Sequence, residues 1–154
     1  MRSILIAALA LLAVPASAQT AEPVHDDALL TACLAENAEA GDVCIGRAST
    51  ACMATPGGDT TIGMSTCIAA ETAQWDGLLN DAYKGLTAEP GKRADDLQAV
   101  QRSWIAFVDA ACAYEAGAYE GGTVAGSVGG ACKMTNTARR ALDLRGYQQE
   151  GSVR

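Results

Sequence analysis

Residues 64–112 limit what this chain can fold into more than any other stretch. Apolar side chains recur at Met64, Cys67, Ile68, Trp75, Leu78, Leu79, Ala82, Tyr83 and Leu86. Steps of three and four place them on one face of a helix. The pattern stops at Glu89-Pro90-Gly91, because proline lacks a backbone donor and turns its predecessor away from helix. A second pattern follows at Leu97, Val100, Gln101, Trp104, Ile105, Val108, Ala111 and Cys112. Two amphipathic helices joined by a short turn lie antiparallel with facing stripes. The expectation is an all-α fold: a small helical bundle built on a central antiparallel helical hairpin. Trp75 and Trp104 sit mid-helix, where large aromatic residues anchor packing. No strand pattern and no internal repeat competes with this reading.

The start of the chain reads as a signal peptide over residues 1–18. Arg2 supplies a positive charge, residues 4–14 an apolar run, and Pro15-Ala16-Ser17-Ala18 a small-residue cleavage site. The run is shorter than the roughly 20 apolar residues that span a bilayer. No cysteine stands at the cleavage point to carry a lipid, and no later stretch is apolar enough to cross a membrane. A periplasmic or secreted protein without a stable membrane anchor is expected, cleaved near Ala18 to leave Gln19 first. Loss of Arg2 takes the net charge from −7 to −8. An acidic chain is a poor partner for nucleic acid or anionic lipid, whose binding relies on Lys and Arg. Such a charge keeps an exported domain soluble, and it speeds encounter with a cationic partner.

Six cysteines fall beyond the leader: Cys33, Cys44, Cys52, Cys67, Cys112 and Cys132. An even number in a small exported domain implies disulfides, and six allow 15 pairings between which spacing alone does not choose. Crosslinks would offset a core rich in alanine and poor in large residues, with one Phe. There is no Cys-x-x-Cys, and a single histidine leaves little material for a Cys/His zinc site.

Taken in order, residues 19–25 read as a loose leader. A helix capped by Asp26 or Asp27 runs to Ala40, with Ala28, Leu29, Ala32, Cys33 and Ala40 inward. Gly41 ends it, and Asp42 caps a second short helix over residues 43–54. Cys33 and Cys44 flank the turn between them, where a bridge would clamp the pair. Pro56-Gly57-Gly58-Asp59 breaks the chain, and Thr60 or Thr61 caps the long helix. Residues 117–130 are Gly-rich and read as a connecting loop. A last helix covers residues 132–145, with Met134, Ala138, Ala141 and Leu142 inward. Residues 146–154 read as a flexible tail.

Chemistry finds little support. His25 stands in the leader, far from any nucleophile motif, and reads as an exposed, incidental histidine; a catalytic triad needs a base held by neighbours. The Gly-rich stretch has neither a dinucleotide nor a phosphate-loop pattern. Glu71, Asp76, Asp109 and Glu115 are carboxylates on the hairpin, and paired carboxylates do glycosidase chemistry when held about 5 to 9 Å apart in a cleft. Ion pairs with Arg102, Arg139 or Arg140, or helix capping, account for them more simply. Asn80 and Gln101 lie near the stripes, where a buried amide pins register. The chain is read as a non-enzyme with no catalytic, cofactor or metal residues and no cofactor.

The hairpin resembles the secreted domain family named after the lysozyme inhibitor LprI. The resemblance rests on Gly63-Met64, Cys67, Glu71, Trp75-Asp76, Leu79-Asn80, Tyr83 and Leu86. Beyond the turn it rests on Gln101-Arg102, Trp104-Ile105-Ala106-Phe107 and Asp109-Ala110-Ala111-Cys112, then on Glu115, Gly121-Gly122-Thr123, Cys132, Thr137 and Arg140. It covers roughly residues 52–144. The family usually carries arginine between Phe107 and Asp109, where Val108 stands here. The resemblance implies a helical domain over residues 52–145, preceded by a short-helix extension over 19–51. It makes Trp75, Asp76, Leu79, Asn80, Tyr83, Gln101, Trp104, Phe107 and Asp109 the motif core, a set of packing rather than inhibitory residues. It assigns Cys52, Cys67, Cys112 and Cys132 to the domain, as Cys52–Cys67 with Cys112–Cys132, beside an added Cys33–Cys44. Cys67–Cys112 with Cys52–Cys132 stays open, since an antiparallel hairpin brings Cys67 and Cys112 to one end. The implied function is that of an exported binding protein that inhibits a cationic lysozyme or related muramidase. A structural or interaction module of the cell envelope without an enzyme target is the alternative.

Overall fold

The structure, a computed structural model, describes residues 21–152. The leader and its cleavage site lie outside the described residues. Five α-helices follow in order: α1 (Ala28–Glu36), α2 (Arg47–Met53), α3 (Thr61–Leu86), α4 (Lys92–Gly117) and α5 (Ala125–Ser152), with a 3-10 turn at Gly41–Cys44. No strand occurs among the described residues, and none of their helices is long and apolar enough to cross a membrane. The fold is an all-α, disulfide-bonded bundle.

Local chemistry explains most boundaries. The Thr60 hydroxyl accepts the backbone N–H of Gly63 at 2.9 Å, which starts α3 as a side-chain cap should. At its other end, the turn around Pro90 separates α3 from α4. The N-terminal segment is more broken than its sequence suggested. α1 stops at Glu36 rather than Ala40, where Asn37 folds its amide back onto the Cys33 carbonyl. The expected helix over residues 43–54 is split by Gly46, whose φ of +85° is left-handed backbone that glycine adopts without strain. The residues before α1 are anchored rather than loose. Val24 donates its N–H to the Thr55 hydroxyl, and the His25 ring bonds the Gln74 side chain at 3.3 Å. His25 is therefore half-buried against α3, not exposed.

The largest revision concerns α5. The expected loop over residues 117–130 is confined to 118–124, and the helix begins at Ala125. Glycine lowers helix propensity, but here it permits close approach. A β-carbon on Gly130 would touch the Ile68 side chain of α3 at 3.4 Å, and one on Gly129 the Ala116 methyl of α4 at 3.3 Å. The expected tail from Gly146 also continues as helix to Ser152. At 28 residues, α5 matches α3 and α4 in length. It therefore takes the stripes that the sequence assigned to each other: α3 and α4 both pack chiefly on α5, and contact between α3 and α4 is slight. Ser65 meets Ser127 near the start of α3 and α5, and Gly85 meets Gln148 near their ends, so these helices run parallel. Cys112 bridges to Cys132 and Gln101 meets Arg140, so α4 runs antiparallel to α5.

Two apolar clusters result. The main one gathers Leu30, Ile68, Trp75, Leu79, Ala82, Met134, Ala138, Ala141 and Leu144. The smaller holds Val108, Cys112 and Cys132, with Trp104 packed against both. The disulfides are Cys33–Cys44, Cys52–Cys67 and Cys112–Cys132, with Cα separations of 5.8, 5.6 and 5.4 Å. α2 is thus tied to the start of α3, and α4 to the start of α5. The alternative pairing of Cys67 with Cys112 does not occur. With α5 between their helices, each of these cysteines finds a nearer partner.

Candidate functional site

Of the four candidate carboxylates on α3 and α4, Glu71 is buried, and Asp76, Asp109 and Glu115 are exposed. Glu71 is fully buried in α3. Its Oε1 accepts the Gly46 N–H at 2.6 Å and the Trp75 indole N–H at 3.0 Å, and its Oε2 accepts the Ser49 N–H at 2.6 Å. The carboxylate therefore caps the first turn of α2, where free N–H groups and the helix dipole favour negative charge. Such an anion is a fastening, with its oxygens turned into the protein. Asp76, five residues on, is exposed and accepts from the Asn80 amide at 2.8 Å. Glu71 and Asp76 thus face different surroundings and do not form the acid pair that glycosidase chemistry requires.

A second buried polar contact fixes α4 to α5. Arg140 is 7% exposed and donates from Nε to the side-chain amide oxygen Oε1 of Gln101, while its Nη1 lies 4.0 Å from Asp143. A charge-assisted hydrogen bond in a dry seam holds register more firmly than a surface contact. Gln101 is buried and bonds across from α4 to α5. Asn80 does not, because it faces solvent. Arg140 pairs with Gln101 and Asp143, not with the hairpin acids.

The nine motif residues divide by burial. Trp75, Leu79 and Gln101 are buried, and Tyr83 and Trp104 are half-buried. Asp76, Asn80, Phe107 and Asp109 are exposed, Phe107 at 64%. These four are therefore not part of the buried packing core, although Asp76 lines a cleft against α5 and Asp109 pairs with Lys133 of α5. Val108 is buried beside Cys112 and Cys132 and makes an apolar contact there.

Three of the exposed polar residues lie near one feature. A cleft of about 420 Å³ runs between α3 and α5. Ile68, Ala69, Thr72 and Ala73 form one wall, Gly126 and Gly130 the other, and Asp76 and Lys133 also line it. Asn80 holds the Asp76 carboxylate, and Lys133 reaches Asp109 of α4 at 3.1 Å. The cleft is thus apolar inside, with the Asp76 carboxylate and the Lys133 ammonium among its lining groups. A larger cavity of about 810 Å³ opens at the opposite end, between the C-termini of α3 and α5 and the start of α4. None of the nine motif residues lines it, so size alone does not select it as the site. Lys133 escaped the sequence reading, and the two cleft glycines were assigned to the connecting loop over residues 117–130. The signal for them was the Gly126/Gly130 and Ala69/Ala73 spacing of four, which marks facing helix surfaces of small residues. Among the described residues, no cluster of three or more His, Cys, Asp or Glu stands ready for a metal ion.

The architecture is that of a small, disulfide-stapled helical module. Its affiliation is more definite: a family model described as lysozyme inhibitor LprI matches residues 52–144, more than half of the chain, and the protein belongs to that family. The matched span begins at Cys52 and ends at Leu144, so it holds α3, α4 and most of α5, while α1, the 3-10 turn and most of α2 precede it. No match is found among curated proteins or among solved structures.

Proposed function

We propose that the protein is exported and there binds and inhibits a cationic lysozyme-type muramidase through the cleft between α3 and α5. The observation that carries this reading is the exposure of Asp76 and Asp109. Residues kept for packing would be buried, whereas these acids stand beside an apolar cleft, as groups that meet a partner do. Family membership supplies the target class. Export is supported by the leader and by three disulfides, which persist in oxidising compartments. The net negative charge favours encounter with a basic enzyme. In this reading the inhibitor acts by occupying the enzyme's surface, and its own residues perform no catalysis.

The test is titration of purified, oxidised protein from Gln19 onward into a cationic animal-type lysozyme, with binding heat and cell-wall lysis read together. Saturable binding with loss of lysis is expected. Asp76→Ala should weaken inhibition by about tenfold, the effect of losing one contact of roughly 1.4 kcal/mol, at an unchanged melting temperature. Binding heat that is absent at tens of micromolar would remove the muramidase reading and leave the fold intact.

A further inference from the structure

The outer face of α4 has a symmetry that the muramidase reading does not use. Five small residues, Ala99, Ser103, Ala106, Ala110 and Ala113, follow one another at steps of four and three. All five are exposed, on the side opposite the buried Gln101, Val108 and Cys112. Beside them runs a row of large apolar residues at steps of seven: Val100, Phe107 and Tyr114, between 50% and 85% exposed. Along the other flank stand Arg102 and Asp109, with half-exposed Ile105 between them. A contiguous apolar helix face of this extent on a soluble protein marks an interaction surface.

We infer that this face joins two copies of the chain, with their α4 helices antiparallel about a two-fold axis at Ala106. Every row is its own complement under that operation. Ala99 meets Ala113 of the other copy, Ser103 lies by Ala110, and Ala106 meets itself, so the backbones approach closely along about 21 Å of helix at 1.5 Å per residue. On one flank Val100 meets Tyr114 and Phe107 meets Phe107. On the other Arg102 meets Asp109 twice, once in each direction, as an isologous interface demands. Asp109 already holds Lys133 through one oxygen, but its side chain is 63% exposed and has room for a second cation. A parallel arrangement would set Arg102 against Arg102 and Asp109 against Asp109, which like-charge repulsion disfavours. A partner of uniform positive charge would meet Arg102 unfavourably, whereas a second copy satisfies both signs. One helix pair is small for a specific interface, so the association is reversible and depends on concentration. It does not rest on the muramidase reading.

Sedimentation velocity of the oxidised protein from Gln19 onward, from micromolar to millimolar concentration, tests this. The expected result is a monomer–dimer equilibrium. Ala106→Arg, at an exposed site, should leave only monomer at an unchanged melting temperature and helix content. Arg102→Asp should also lose dimer. The double variant Arg102→Asp/Asp109→Arg should restore it, made in a Lys133→Gln background so that the new arginine meets no lysine, and compared with Lys133→Gln alone. A wild-type chain that stays monomeric at millimolar concentration overturns the inference. So does an Ala106→Arg protein that dimerises like the wild type, or a double variant no better than Arg102→Asp alone. A monomeric wild type that loses lysozyme inhibition through Ala106→Arg would assign the face to the enzyme instead.

Discussion

α3 and α4 are both 26 residues long, yet α3 buries seven of its residues and α4 only three. α3 is covered by α2 on one side and α5 on another. It carries the fully buried Trp75 and Glu71 and is tied to α2 through Cys52–Cys67. α4 rests on α5 alone among its major contacts, held by the small cluster around Cys112–Cys132 and by the Gln101–Arg140 bond. Covering a helix on several sides fixes its residues for packing. Covering it on one side frees the rest for partners, and α4 accordingly exposes Val100, Ile105, Phe107 and Tyr114. One region is the frame, and the other is presented by it.

Substitutions should separate the two. Trp75→Ala opens a cavity in the frame and should cost about 4 kcal/mol, a large part of a typical domain's 5–15 kcal/mol; chemical denaturation reads it as a lower midpoint. Replacing Cys112 and Cys132 together by serine should cost about 3 kcal/mol, as expected for a crosslink across a loop of this size, with the loss concentrated in α4. Glu71→Ala strands the Gly46, Ser49 and indole donors and should cost about 2–3 kcal/mol; Glu71→Gln, which still accepts through one oxygen, should cost less. Gln101→Ala leaves the buried Arg140 guanidinium without its main acceptor and should cost about 1–2 kcal/mol. Phe107→Ser, on the presented face, should change stability by no more than about 0.5 kcal/mol. A Phe107→Ser protein that melted like Trp75→Ala would erase the distinction between the two regions.

Much of the frame was legible in the sequence. The steps of three and four from Met64 to Leu86 and from Leu97 to Cys112 mark two helices, and Thr60 caps where expected; of the second stripe, Val100 and Ile105 are exposed rather than inward, because α4 is covered on one side only. What remained hidden was the partner of each stripe. Apolar periodicity says that a face is covered, not by which element, and α5 was foreshortened because Gly126, Gly129 and Gly130 resemble a loop. Gly129 and Gly130 pack closely on Ala116 and Ile68, and which neighbours they meet is a property of the folded chain that their spacing alone does not name. Glu71 shows the same limit. Nothing near it in the chain announces the N–H groups of Gly46 and Ser49, which lie 25 and 22 residues away. The cleft was half visible: Asp76, which lines it, and its neighbours Asn80 and Asp109 stood in the motif, but their exposure, and Lys133 opposite, emerge only once α5 is in place.

The division between frame and presented helix is tested most directly by native-state amide hydrogen exchange on the Cys112→Ser/Cys132→Ser protein. Loss of protection should be greatest along α4, from about Leu97 to Glu115, while amides around Trp75 in α3 stay the slowest to exchange. Loss of protection spread equally over α3, α4 and α5 would show that the three helices open as one unit and would contradict the account.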